Sequence, residues 1–115
     1  MKKMRLNVIL PKNTKKEIRE QMLRGGYGLR EKSKWICEAI EDLLVLTDYP
    51  DYVKTASLMS NLSDVETIYL TDGLDQQLEK AILDVRKCYL ELDGIKSLIV
   101  RASIVRRLWQ PNKKL

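Results

Sequence analysis

One pattern occurs twice in this chain, and it limits what the chain can fold into. Leu6, Val8 and Leu10 alternate with Arg5, Asn7 and Ile9, the period of a strand with one buried face. Pro11 closes that strand. Thr14-Lys15-Lys16-Glu17 has the form of a capping box, so a helix is expected to start there, with Ile18, Met22 and Leu23 as its apolar stripe until Gly25-Gly26 stops it. Ser33 is placed as the N-cap of a second, longer helix, in which Trp35, Ile36, Ala39, Ile40, Leu43 and Leu44 recur at helical spacing to about Leu46. The same order then returns. Thr67-Ile68-Tyr69-Leu70 reads as a strand, and Asp72 as the cap of a helix with the stripe Leu74, Leu78, Ala81, Ile82 and Val85. Beyond a turn at Asp93-Gly94, a last helix starts near Ser97 and carries Leu98, Val100, Ala102, Ile104, Val105 and Leu108.

The recurrence has a register. Leu10, Ile18 and Met22 fall on Leu70, Leu78 and Ile82 at an offset of 60; Lys32, Ser33, Ile36, Ile40 and Leu44 fall on Lys96, Ser97, Val100, Ile104 and Leu108 at an offset of 64. A unit of one strand and two helices cannot bury its apolar faces alone and leaves an unpaired strand edge. Two units remove both problems by pairing their strands as an antiparallel ribbon over a shared helical core. The expected fold is therefore mainly α with a two-stranded antiparallel ribbon, two repeats in one chain forming a pseudo-dimer. The first repeat is assigned to residues 1–46 and the second to 65–115. Residues 47–64 are the connector, with a short helical turn around Tyr52 to Leu58. Glu66 stands where the first copy has Leu6, which predicts a frayed or shifted start to the second strand.

Composition narrows the chemistry. The 115 residues are one domain's worth of chain, and a net charge of +5 with a pI near 9.2 tilts the expected partners toward polyanions. Histidine is absent, so no imidazole base stands ready for a nucleophile, and Cys37 and Cys88 are too few for a zinc set. A protein without catalytic residues, metal or cofactor is expected. Met1-Lys2-Lys3 begins like a leader, but Arg5, Asn7, Pro11 and Lys12 interrupt any apolar run, and no stretch reaches membrane-spanning length. The expectation is a cytoplasmic protein with both thiols reduced and Cys37 packed beside Trp35 and Ile36.

The stretch M-R-L-N-V-I-L-P, followed by a helix, a glycine-containing turn and K-S-K-W-I-C-E-A-I-E-D-L-L, resembles the ribbon-helix-helix family of DNA-binding proteins, to which the Arc and MetJ repressors belong. The resemblance covers Met4 to Leu44 well and Val65 to Trp109 less closely, and two copies in one chain look like the TraY-type tandem members of conjugative plasmids. It implies double-stranded DNA as the partner, with the ribbon in the major groove and its outward side chains on base edges. Transferred to this sequence, those side chains are Arg5, Asn7 and Ile9 in the first strand and Thr67 and Tyr69, beside Val65, in the second. The residue types suit the task independently: arginine bonds guanine, asparagine bonds adenine, and an apolar group touches the thymine methyl. The weaker second strand implies an asymmetric site. The family's other anchor, the start of the second helix, implies phosphate binding at Lys32, Ser33 and Lys34 and at Lys96 and Ser97.

Charge agrees in part. Residues 1 to 44 hold eleven basic and six acidic side chains, 45 to 64 are net acidic, and 65 to 115 are only weakly basic. Arg101, Arg106 and Arg107, with Lys113 and Lys114 beyond Pro111, read first as a solvated helix face and terminus, and second as non-specific phosphate contacts. The function implied is repression of an operator, or an accessory role at a plasmid transfer origin beside a relaxase, with further copies on adjacent sites. A competing expectation is a protein-interaction module, an antitoxin or assembly adaptor, docking through the Trp109–Pro111 end or the Asp48-Tyr49-Pro50-Asp51 connector.

Overall fold

The computed structural model describes residues 3–109. The alternating segment forms β1 (Lys3–Pro11), followed by α1 (Thr14–Arg24) and α2 (Lys32–Leu44); α3 (Tyr49–Ala56) then leads to β2 (Leu62–Thr71), α4 (Asp72–Cys88) and α5 (Ile95–Trp109). The strands make a two-stranded antiparallel sheet, and the five helices share one core beneath it. A Cα radius of gyration of 13.5 Å matches the roughly 13 Å of a single domain this long, and the buried residues of both strand-helix-helix segments form one cluster, so neither has a core of its own.

The register of the sheet is two-fold symmetric. Asn7 lies opposite Thr67, its own equivalent at the offset of 60; Arg5 lies opposite Tyr69 and Ile9 opposite Val65. The inner face, Val8, Leu10, Ile68 and Leu70, is completely buried against Trp35, Ile36 and Ile40 of α2 and Ile99 and Ile104 of α5. The two second helices pack most extensively on each other, while α3 lies against α5 and α4. Tyr49 donates to Asp84 at 2.8 Å, Tyr89 donates to Asp51 at 2.6 Å, and Lys54 bonds Glu91 at 2.9 Å.

Several local expectations are corrected. Thr14 is the first residue of α1, and its hydroxyl donates to the Pro11 carbonyl at 2.6 Å, so no capping box forms. The N-cap is Asn13, in the left-handed region at φ 73°, and the Lys15 N–H donates instead to the Asp64 carboxylate of β2 at 3.1 Å. Ser33 and Ser97 lie inside their helices; α2 starts after Glu31, and α5 begins at Ile95 after Gly94, whose φ of +60° glycine tolerates best. Thr71, not Asp72, caps α4 by accepting from the Leu74 N–H at 3.2 Å. The short helical turn expected around Tyr52 to Leu58 is present as an eight-residue helix that starts earlier, at Tyr49, with Pro50 in its first turn. The division at residue 64 falls inside β2.

Glu66 does not fray its strand. It is 3% exposed on the inner face, and Lys32 reaches its carboxylate at 2.7 Å. Nor do the arginines of α5 form a solvated face. Arg101 is buried, with Nε donating to the Ile9 carbonyl at 2.9 Å and Nη1 to that of Ala56 at 3.3 Å; burial pulls its guanidinium below its usual pKa. Arg107 donates to the Trp35 carbonyl at 2.6 Å and to the Tyr27 hydroxyl at 3.2 Å, lying over the Trp35 ring, and Arg106 lies over the Tyr52 ring. Pro111, Lys113 and Lys114 lie outside the described residues. Cys37 and Cys88 form no disulfide with each other, Cys37 lies half-buried against the core, and no helix among the described residues is long and apolar enough to cross a membrane.

Candidate nucleic-acid interface

The outer face of the ribbon follows from strand parity. Where Leu6, Val8, Leu10, Ile68 and Leu70 turn inward, Arg5, Asn7, Ile9, Val65, Thr67 and Tyr69 must turn outward. They stand as three cross-strand pairs: Arg5 with Tyr69, Asn7 with Thr67, and Ile9 with Val65. All five side chains expected to read bases therefore share one surface, and Val65 completes it. Ile9, Val65 and Tyr69 are each about half exposed, at 47%, 50% and 48%. Arg5 is exposed and engages no carboxylate among the described residues.

The same parity decides where the backbone groups go. The Tyr69 N–H and carbonyl, and the Ile9 carbonyl, point away from the partner strand, which makes the outward residues members of non-hydrogen-bonded pairs with closely spaced side chains. A two-stranded ribbon would leave these groups as open edges. Here the second helices cover them. The Tyr69 N–H donates to Ser33 Oγ at 3.2 Å, and Cys37 Sγ donates to the Tyr69 carbonyl at 3.8 Å. On the opposite edge Arg101 donates to the Ile9 carbonyl. Cys37 and Arg101 are equivalents at the offset of 64, as Ile9 and Tyr69 are at 60, so one contact is made twice with different chemistry. The ribbon is thus held from both flanks while its outer face stays open.

At the centre of that face Thr67 Oγ1 donates to Asn7 Oδ1 at 2.6 Å. The bond turns the amide oxygen toward β2. It leaves the amide NH2 and the second oxygen lone pair available.

The flanking helix starts differ from expectation. Ser33 reaches the ribbon at Tyr69, which places the first turn of α2 beside β2; Lys34 there is exposed, with a 3.8 Å contact to Glu31. The ammonium of Lys32 is held by Glu66. Lys96 contacts Asp75 at 2.5 Å and Glu79 at 3.1 Å; burial works against its charge, but the two carboxylates outweigh that and raise its pKa above the usual lysine range. Neither Lys32 nor Lys96 has a free ammonium, and the Ser97 hydroxyl engages none of the described residues. Helix starts in the first unit carry Lys15, Lys16 and Lys34, whereas α4 starts with Asp72 and Asp75. Basic side chains outnumber acidic ones by five in residues 1–44 and by two in residues 65–115.

Among the polar contacts missing from the sequence reading are Asp64 on α1, Glu66 with Lys32, and Arg101 on Ile9. Each joins residues at least 34 positions apart, beyond any local motif, although the offset of 64 that matches Lys32 with Lys96 also matches Cys37 with Arg101. No family model, curated protein or solved structure matches this chain.

Proposed function

We propose that this chain is a sequence-specific double-stranded DNA-binding protein without catalytic activity, built from two ribbon-helix-helix units that act as a pseudo-dimer. The observation that carries the reading is the outer ribbon face: an exposed arginine without a carboxylate partner among the described residues, an oriented asparagine and an apolar pair, arranged on a two-stranded ribbon of the kind the major groove admits. Arg5, Asn7, Ile9, Thr67 and Tyr69 touch base edges. The backbone N–H groups at the starts of α2 and α5, with Lys34, Ser33 and Ser97, approach phosphates. Lys32 and Lys96 contribute there only by exchanging their carboxylates for phosphate, so their share is smaller than their position suggests.

Binding of this kind serves an operator or a transfer origin equally well, beside a relaxase or further copies of the chain. Docking through the Asp48–Asp51 segment is less favoured, because Tyr49 and Asp51 are bonded within the fold and Pro50 is buried. The test is selection of bound sequences from a random duplex pool. Enrichment of a defined sequence, with affinity that falls steeply as salt rises, is expected. Retention of no duplex at low salt would refute the reading.

A further inference from the structure

We infer that the ribbon reads a directional, non-palindromic core of about five base pairs, and that Thr67 is the positioning residue that orients Asn7 at its centre. The inference rests on the DNA-binding reading above and gives that site a polarity.

The two-fold axis of the sheet passes through the Asn7·Thr67 pair. Two identical strands on that axis would offer the same residue at each end and hence read a palindrome. Here the equivalents differ at every outward position: Arg5 corresponds to Val65, Asn7 to Thr67, and Ile9 to Tyr69. One end of the face therefore presents Arg5 with Tyr69, and the other presents Ile9 with Val65, two apolar groups. Four residue steps at about 3.4 Å separate Arg5 from Ile9, close to four base steps along the duplex. The arginine end suits guanine, whose O6 and N7 accept a bidentate guanidinium. The aliphatic end suits a thymine methyl.

The centre holds one amide rather than two. With Thr67 Oγ1 at 2.6 Å on its oxygen, the Asn7 amide keeps an NH2 donor and one acceptor lone pair, the pair of groups that adenine N7 and N6 require. The Thr67 hydroxyl spends its only proton on this bond. Its role is to fix which way the amide faces, so a central adenine is favoured on one strand only.

Random-pool selection with the full chain and four variants tests this. The wild type is expected to enrich a core with guanine at one end, adenine at the centre and thymine at the other. Arg5→Ala should lower the guanine preference roughly 5- to 150-fold, the size of one bidentate contact, and leave the thymine end unchanged. Thr67→Val should flatten the central preference while Thr67→Ser retains it, a difference that a merely structural role would not produce. The double variant Val65→Arg with Thr67→Asn gives both strands the same arginine and asparagine, and its selected core should carry symmetry-related guanines at its two ends and lose the preference for adenine on one central strand. A palindromic core in the wild type, or Thr67→Val and Thr67→Ser behaving alike, overturns the inference while leaving DNA binding intact. Failure to enrich any sequence overturns the DNA-binding reading itself.

Discussion

Lys32→Met and Glu66→Leu break the same ion pair, yet their costs should differ, and the difference follows from burial. Glu66 is 3% exposed, whereas the Lys32 side chain is 42% exposed. Removing the lysine strands a carboxylate inside the protein; removing the glutamate frees an ammonium that already touches water. Breaking a fully buried pair costs roughly 3–5 kcal/mol and an exposed one about 0–1 kcal/mol. A cavity of about 120 Å³, lined also by Lys15 and Arg19, borders Glu66 and has room for water, which places Lys32→Met between those limits, at about 2 kcal/mol. At roughly 2.1 cal/mol/K of unfolding entropy per residue, that lowers the thermal midpoint by about 8 °C. Glu66→Leu installs the residue that the first unit has at Leu6, and it should stay within about 1 kcal/mol of the wild type or exceed it, as apolar replacements of buried charges do. Urea and thermal unfolding of the two variants, with the denaturant slope unchanged, measure both quantities. Equal losses, or a larger loss for Glu66→Leu, would refute the reasoning, since the pair would then be stabilising for its own sake.

Asn7→Ala and Arg5→Ala should each cost roughly 1–3 kcal/mol at the selected DNA site while leaving binding to random duplex nearly unchanged, as measured by competition titration; equal losses on both would exclude base readout. Sedimentation without DNA at low concentration should show a folded monomer, because β1 and β2 pair within one chain, and an obligate dimer there would mean that strands exchange between chains. Burial, and then the hydrogen bond to Asp84, raise the pKa of Tyr49 above the usual tyrosine range, so folding favours the protonated phenol. That contribution is complete below about pH 10, the unfolded value, and is lost as pH climbs through it toward the folded one; the urea midpoint should fall above about pH 10, less steeply in Tyr49→Phe.

The elements governed by local periodicity were legible in the sequence. The alternation of Leu6, Val8 and Leu10 marked β1, and the stripes of Ile36, Ile40 and Leu43, and of Leu74, Leu78 and Val85, marked buried faces of α2 and α4. The second strand was half hidden. Its inward positions are Asp64, Glu66, Ile68 and Leu70, so only its last half alternates in the ordinary way, and its true start at Leu62 could not be read. Pro50 after Asp48 did carry a helix-start signal, but the polar residues around it read as connector. The caps expected at the starts of α1 and α2 differ for a tertiary reason. Asp64 satisfies the start of α1 across the sheet, and Ser33 turns from its own helix to the Tyr69 N–H, because the free ribbon edge needs a partner. The outward side chains could be placed by parity alone, whereas their pairing, and so the Thr67–Asn7 bond, required the register.

That register also explains what a single chain makes possible. In a dimer of identical units every substitution appears twice, so an arginine such as Arg101, buried against the edge carbonyl of Ile9, would impose its desolvation on both flanks. Here the opposite flank is held by Cys37 and Ser33, which make the equivalent contacts with far less buried charge. Likewise Glu66 is tolerable because Lys32, from the other unit, reaches it, while Lys96 at the equivalent place is held by Asp75 and Glu79. Each such contact is made once, and each unit is therefore fitted to its neighbour rather than to a copy of itself. The freedom that lets the two inner solutions differ extends to the outer face, where Arg5 has no counterpart at Val65. Symmetry of the backbone with asymmetry of the side chains is what a ribbon needs if it is to lie in the groove in one direction only.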